Sequence, residues 1–212
     1  MRIITGSARG IPLETLPGED TRPTSDRVKE ALFSMIQFEI EGRRVLDLFA
    51  GSGQLGLEAL SRGAQYCVFI DGARAACDIV TANAKKSKLY DRCRISTGDY
   101  ASFLRGAAGR EQFDIIFLDP PYDAGYMSTA LAAIAEGDLL APGGRIICET
   151  DNGVQPVSKR LLKDDAYHEE QVYLQVFGKK QGLRDQFTLL RTALYGRTRI
   201  TLLAGEKGQD RQ

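Results

Sequence analysis

Short apolar runs alternate with longer amphipathic stretches along most of this chain. Each run has the length of one buried strand, far below the roughly 20 apolar residues that a bilayer-spanning helix needs. The runs that we interpret as strands of one sheet are residues 44–49, 66–70, 93–96, 113–118 and 145–149. Because helical patterns separate the first of them, we expect right-handed crossovers and a parallel sheet that is covered on both faces.

Amphipathic stretches predict helices beside these strands. Thr24 or Ser25 can cap the first helix, and Asp26 lies in its first turn. The second helix extends from about residue 55 to residue 62, and the third covers residues 74–88. The residues predicted to face the core are Val28, Ala31, Leu32, Met35 and Ile36 in the first helix and Ala75, Ile79 and Ala82 in the third.

The two ends of the chain show a different pattern. Residues 2–5 and 11–13 flank a glycine-containing segment and predict a short N-terminal hairpin. Residues 171–177 and 198–203 alternate between apolar and polar side chains without a convincing crossover helix between them. An antiparallel pair that closes one edge of the sheet fits these two runs. The predicted fold is therefore α/β and doubly wound.

The composition mainly argues against certain kinds of site and mechanism. The four cysteines form no C-x-x-C pair, which disfavours a zinc site or a disulfide framework. His168 is the only histidine and lies in a polar stretch, which disfavours a histidine-dependent mechanism. The start of the chain lacks the apolar core of a signal peptide, so we expect a soluble cytoplasmic protein. We also expect that it needs no metal.

The charge is balanced overall but not locally. The chain has 28 basic and 28 acidic residues, so composition gives no general nucleic-acid signal. Between Lys179 and Arg199, however, six basic residues stand against Asp185 alone. This segment is either a phosphate-facing patch or an ordinary solvated face.

A glycine loop follows the first predicted strand. Gly51, Gly53 and Gly56 have the spacing G-x-G-x-x-G, and Asp71 follows at the end of the second strand. This pattern satisfies the dinucleotide-binding fingerprint, so a nicotinamide or flavin oxidoreductase is one interpretation. S-adenosylmethionine is the other, because it also carries a ribose that an acid at Asp71 can bind.

Acidic residues at the ends of consecutive strands favour the methyl donor. Asp47 ends the first strand, where a carboxylate suits the ammonium group of S-adenosylmethionine and would repel a pyrophosphate. Asp99 follows the third strand, where an acid can reach the exocyclic amine of the adenine. Tyr100 can pack on the adenine ring, and Phe49 belongs to the same predicted pocket.

The fourth strand ends in Asp119, Pro120, Pro121 and Tyr122. Each proline keeps the residue before it extended and lacks an amide N–H, so a carboxylate and a backbone carbonyl become fixed acceptors. A planar NH2 group of a nucleic-acid base suits these acceptors, because its hydrogens become more acidic as the methyl group approaches. Tyr122 can stack on the base, which must be unpaired or flipped out.

Several segments together resemble one family, the bacterial 16S ribosomal RNA guanine-N2 methyltransferases of the RsmD type. The matching segments are MRIITG with RG within residues 1–10, TRPTSDRVKEALF at 21–33, DLFAGSG at 47–53, GLEALSRGA at 56–64, FLDPPY at 117–122 and YGRTRIT at 195–201. The resemblance implies a mostly parallel, seven-stranded, Rossmann-like methyltransferase sheet with an N-terminal hairpin extension at residues 1–20 and a catalytic domain at residues 21–212.

The same resemblance implies the roles of the site. The donor S-adenosylmethionine would lie in the pocket of the 47–53 loop, and residues 119–122 would hold the guanine. RNA-binding residues would be Arg2, Arg9, Arg22 and Arg27. The implied substrate is 16S ribosomal RNA in a small-subunit assembly particle, and we expect a monomer. An adenine-N6 methyltransferase, the dinucleotide oxidoreductase and a non-catalytic RNA-binding module are the alternatives.

Overall fold

A computed structural model of the chain describes residues 1–16, 26–121, 125–151, 172–178, 180 and 182–205. Several residues singled out above lie outside this part: Arg22, the cap candidates Thr24 and Ser25, His168 and Lys179. Tyr122 of the proposed base-binding segment also lies outside it. No helix within the described ranges is long and apolar enough to cross a membrane.

A seven-stranded sheet forms the centre of the protein, with the strand order β3-β2-β1-β4-β5-β7-β6. The first five strands are parallel, and β7 and β6 continue the sheet in antiparallel fashion from β5. The strands are β1 (Arg44–Asp47), β2 (Tyr66–Asp71), β3 (Cys93–Thr97), β4 (Phe113–Leu118), β5 (Leu140–Asp151), β6 (Phe187–Tyr195) and β7 (Thr198–Gly205). The chain order reverses direction between β1 and β4, which creates the crevice where open α/β sheets bind ligands.

Helices cover both faces of the sheet, as predicted for a doubly wound α/β fold. They are α1 (Asp26–Met35), α2 (Gln54–Ser61), α3 (Arg74–Lys86), α4 (Tyr100–Ala107) and α5 (Tyr126–Glu136). Successive residues of a strand point to opposite faces, so Val45 of β1 belongs to the core with α1 and α2, whereas Leu46 belongs to the core with α5. Each core is a cluster of packed apolar side chains.

The predicted inward face of the third helix was wrong. Ala75 and Ala82 are exposed and Ile79 is half-buried. The buried residues of α3 are instead Ala76, Cys77, Val80, Asn83 and Ala84. The buried face includes the polar Asn83, and an apolar-only reading of the helix therefore chose the neighbouring stripe.

The prediction for the sheet edge was half correct. Residues 198–203 do lie in an antiparallel strand, but their partner at the edge of the sheet is β6. Residues 172–176 are helical. The register of β6 shifts between Leu189 and Arg191, and this irregularity breaks the strict alternation that identifies a strand. The run at 171–177 has alternating side chains, yet Val172, Val176 and Phe177 bury a helical face.

The N-terminal segment lies against α2 rather than apart from the sheet. Its two arms pair through one antiparallel bridge, Arg2 with Pro12. The fully buried Glu58 of α2 accepts hydrogen bonds from the amides of Ile4 and Thr5, at 2.7 and 3.0 Å. Lys29 of α1 forms an ion pair with Glu58 at 3.4 Å, and both side chains are fully buried. This network fixes the segment beside the helix that starts at the glycine loop.

Candidate active site

A cavity of about 620 Å³ opens at the carboxyl ends of the parallel strands. Both its volume and its place in the sheet are typical of a small-molecule site. Nine residues that the sequence analysis singled out line it. They are Asp47, Phe49, Gly51, Asp71, Asp99, Tyr100, Asp119, Pro120 and Pro121.

Asp47 is the most deeply buried acid of the cavity. Its Oδ2 accepts a hydrogen bond of 2.9 Å from the amide of Gly56 in α2. Burial raises the pKa of Asp47 to about 7, and the nearby Asp71 carboxylate acts in the same direction, whereas the Gly56 hydrogen bond opposes them. A cation bound in the cavity would therefore favour the charged form of Asp47.

Asp71 joins the end of β2 to the glycine loop. One carboxylate oxygen accepts a hydrogen bond from the Gly51 amide at 2.8 Å, and the other accepts one from the Ala73 amide at 2.8 Å. Gly51 has a φ of 52°, a left-handed conformation that glycine adopts readily. The side chain that is expected to bind a ribose thus also shapes the loop beside it.

Asp99 caps α4 at the rim of the cavity. Its Oδ1 accepts hydrogen bonds from the amide and the hydroxyl of Ser102, at 2.8 and 2.9 Å. The bond from the Ser102 amide is the main reason that the pKa of this exposed carboxyl is lowered. Asp99 is therefore charged at neutral pH and faces solvent at the β3 side of the site.

Asp119 ends β4 beside a second acid. Leu118 pairs with Cys148 in the parallel β4–β5 ladder, which places Asp119 next to the buried Glu149. Burial raises the pKa of Asp119 well above its usual range, and the Glu149 and Asp47 carboxylates raise it further. Acids therefore stand at the carboxyl ends of the adjacent strands β2, β1 and β4, and Glu149 lies in the neighbouring strand β5.

Three aromatic side chains form one wall of the cavity. The ring centroids of Phe49 and Tyr100 are 5.1 Å apart, and Tyr126 lies 5.7 Å from Tyr100 and 6.3 Å from Phe49. Tyr126 begins α5 and was not identified from the sequence. Its position depends on how α5 returns to the sheet, which no local pattern reveals.

Gly53 differs from the expectation, because it does not line the cavity. It precedes α2 with a φ of 76°, and an added Cβ would approach Val80 of α3 at 3.0 Å. A Cβ on Gly56 would lie 2.3 Å from the ring of Phe69. These two glycines therefore let α2 approach α3 and β2 closely, and only Gly51 of the three borders the ligand space.

Three of the candidate RNA-binding arginines lie in the described part of the chain, and these three are at the surface. Arg2, Arg9 and Arg27 are exposed, and Arg2 forms an ion pair of 3.1 Å with Asp26. The same N-terminal segment reaches the cavity, since Met1 and Thr15 line it. Arg2 and Arg9 therefore lie on a segment that adjoins the site, and Arg27 lies in α1, whose Asp26 pairs with Arg2.

Two basic residues of the segment 179–199 are engaged within the protein rather than offered to a phosphate. Arg199 is buried and donates a hydrogen bond of 3.1 Å to Gln175. Arg197 forms an ion pair of 2.9 Å with Asp151. Both residues are engaged within the protein beside the β5–β7 pair, so the local excess of basic residues in the sequence overstated the charge offered to a partner.

The chemistry of the lining residues distinguishes the candidate ligands. Four of the described lining residues are aspartates. No described lining residue has a basic side chain. A pyrophosphate would be repelled here, whereas a ligand with a positive charge would be stabilised. Gln54, another lining residue that the sequence did not reveal, has a buried Oε1 atom without a hydrogen-bond partner in the described part of the chain. The described residues contain no group of three or more side chains suited to a metal ion.

Comparisons with known proteins identify relatives over most of the chain. The family model described as conserved hypothetical protein 95 matches residues 1–176. The Bacillus subtilis protein YlbH is 44% identical over 156 residues, which are 73% of this chain and 85% of YlbH. Ribosomal RNA small subunit methyltransferase D of Escherichia coli is 36% identical over 161 residues, which are 74% of this chain and 79% of that protein.

Solved structures agree with these relatives. The Escherichia coli protein yhhF has a TM-score of 0.74 and 28% identity, and the match covers 98% of both chains. The resemblance inferred from the sequence motifs is thereby confirmed. With a family model that spans most of its length and relatives well above 30% identity, the chain belongs to the RsmD-type family of ribosomal RNA methyltransferases.

Proposed function

We propose that this protein transfers a methyl group from S-adenosylmethionine to the exocyclic N2 of a guanine in 16S ribosomal RNA. One observation carries the proposal: Asp119, followed by two prolines, lies in the same cavity as three further aspartates and no basic side chain among the described residues. Such a cavity suits a cationic methyl donor and a neutral amino group together. The names of the curated relatives support the ribosomal substrate.

The donor would lie across the ends of β1, β2 and β3. S-adenosylmethionine supplies an electrophilic methyl group on a positively charged sulfur. Asp47 would face its ammonium group, Asp71 its ribose hydroxyls and Asp99 its adenine amine. Phe49 and Tyr100 would contribute apolar surface next to the adenosine. The charges of these acids match the net positive charge of the donor.

The acceptor would lie at the end of β4. Pro120 and Pro121 have no amide N–H, so the Asp119 carboxylate and the Pro120 carbonyl are acceptors held in a restricted backbone. Both can accept hydrogen bonds from the guanine NH2, and these bonds strengthen as the nitrogen gains positive charge during transfer. The raised pKa of Asp119 suits it to accept the proton that the nitrogen loses.

The RNA would approach from the side of the N-terminal segment and α1. Arg2, Arg9 and Arg27 are exposed there and can contact phosphates, together with Arg22. Tyr122 would stack on the flipped guanine. We infer that the substrate is a small-subunit assembly particle and that the enzyme acts as a monomer.

Transfer of label tests the proposal. The protein is incubated with tritiated S-adenosylmethionine and, in separate reactions, small ribosomal subunits from cells without this enzyme, large subunits and plasmid DNA. Label is expected only in 16S RNA of the small subunits. The matched control is Asp119→Asn, which keeps the shape of the side chain and should give no label. Label in DNA or in ribosomal protein would contradict the proposal.

A further inference from the structure

Gln54 is a buried polar residue that the catalytic account leaves unused. It is the first residue of α2, its exposed fraction is 9%, and its side chain borders the cavity. Its Oε1 has no hydrogen-bond partner among the described residues. An unpaired buried acceptor lowers the stability of the folded state. A residue that keeps this cost at the wall of a ligand cavity is a candidate for ligand binding.

The location of Gln54 indicates which part of a ligand it meets. The Gly56 amide, two residues later in α2, donates to Asp47, and Gln54 and Asp47 both line the cavity, so the start of α2 and the end of β1 meet at one corner of it. Asp71 and Asp99 lie at the ends of β2 and β3, on the adenosine side of the proposed donor position. The corner of Gln54 is thus on the amino-acid side of that donor.

We infer that Gln54 Oε1 accepts a hydrogen bond from the α-ammonium group of the methyl donor, and this inference rests on the proposed function. An ammonium group has three N–H donors, and Asp47 is a second acceptor for them at this corner. Oε1 is an acceptor only, so it requires an N–H or O–H group, and a carboxylate of the ligand would not satisfy it. Gln54 is therefore a residue that positions the donor and discriminates for its amino group.

A neutral amide also suits the electrostatics of this corner. The pKa values of Asp47 and Asp119 are already raised by burial and by nearby carboxylates. A further acid at position 54 would raise them more and would favour the protonated forms of these carboxylates. Glutamine adds an acceptor for the ammonium group without adding negative charge.

Donor binding without RNA tests this inference. Isothermal titration calorimetry would compare Gln54→Leu with the wild-type protein for three ligands: S-adenosylhomocysteine, its analogue without the α-amino group, and 5′-methylthioadenosine, which lacks the amino-acid part. Gln54→Leu should weaken S-adenosylhomocysteine about tenfold, as expected for a lost hydrogen bond to a charged group. It should leave the affinities for the other two ligands unchanged.

A measurement of thermal stability and a matched variant serve as controls for misfolding. Gln54→Leu should raise the thermal midpoint of the ligand-free protein, because it removes the unpaired buried acceptor. Gln65→Leu makes the same substitution at an exposed position before β2 and should alter neither ligand affinity nor specificity.

Equal weakening of all three ligands, or no weakening of S-adenosylhomocysteine, would overturn the role of Gln54 and leave the proposed function intact. Failure of the wild-type protein to bind S-adenosylhomocysteine would overturn both.

Discussion

Asp47 and Gly56 are joined by a hydrogen bond of 2.9 Å from the Gly56 amide to the buried Asp47 carboxylate. This bond exists because α2 lies unusually close to the sheet. A side chain at Gly56 would meet the Cys67 sulfur at 2.6 Å and the Phe69 ring at 2.3 Å. The glycine that permits close packing also brings an amide to the acid at the end of β1, and it thereby fixes one wall of the donor cavity.

Asp119→Asn should reduce the rate of methyl transfer by about 10²–10³-fold, because a neutral amide oxygen replaces the charged acceptor that acts in the transition state. At this rate the variant gives no detectable product in the time that the wild-type reaction needs. The amide cannot take the proton that the base nitrogen releases. Single-turnover kinetics at saturating donor would measure the rate, and titration with S-adenosylhomocysteine would show that donor affinity changes little. Turnover close to that of the wild type would remove Asp119 from the mechanism.

Asp71→Ala should weaken the binding of S-adenosylhomocysteine about tenfold or more, because the ribose hydroxyls lose a charged acceptor. Part of the effect would come from the Gly51 loop, whose amide bonds to the same carboxylate. Asp78→Ala, which removes an exposed acid of α3, is the matched control and should bind normally. An unchanged dissociation constant for Asp71→Ala would exclude the ribose assignment.

Asp47 should make folding stability depend on pH. The folded protein holds the Asp47 proton up to a pKa of about 7, whereas the unfolded chain releases it near pH 4, about the usual value for aspartate. The folded state therefore binds more protons in this window, and the free energy of unfolding falls as the pH rises from about 4 to 7. Asp47→Asn should flatten this part of the profile.

Urea denaturation at a series of pH values would measure that profile. Asp78→Asn should retain the wild-type slope, because Asp78 is exposed. An identical slope for the wild type and Asp47→Asn would show that the Asp47 pKa is not raised in the folded protein.

The buried pair of Lys29 and Glu58 should respond asymmetrically to substitution. Glu58→Leu leaves the Lys29 ammonium buried without its anion and should cost about 3–5 kcal/mol of unfolding free energy. Lys29→Met should cost less, because Glu58 keeps Arg62 at 2.8 Å and the amides of Ile4 and Thr5. The double variant should cost less than the sum of the two single variants.

Chemical denaturation of the two single variants and the double variant would give these values, with the exposed Glu30→Gln on α1 as a control near zero. Additive effects would contradict a direct interaction between the two side chains.

Strand ends were predictable from the sequence, and so were the acids that stand there. Asp47 lies near the end of an apolar run and Asp71 and Asp119 directly follow one, and parallel strands bring such ends to one edge of the sheet. Gln54 and Tyr126 could not be found in this way. Both begin helices, and their contact with the cavity depends on how each helix packs on the sheet.

Helix orientation shows the same limit. The inward face of α3 was misjudged because its buried side includes Asn83, whose amide group binds Ser52 and Glu14. A polar residue that is buried for its hydrogen bonds looks like a surface residue in a hydrophobic pattern. Residues 172–176 illustrate the reverse case, since a short alternating run adopted a helix once tertiary packing decided the outcome.

Identification of the methylated nucleoside tests the central claim most directly. Small ribosomal subunits from cells without this enzyme would be treated with the protein and S-adenosylmethionine, and the 16S RNA would be digested to nucleosides for mass spectrometry. The account predicts a gain of N2-methylguanosine, about one per particle if a single guanine is the target, and no gain with Asp119→Asn. A gain of N6-methyladenosine instead, or no new methylated nucleoside from a protein that binds S-adenosylhomocysteine, would contradict it.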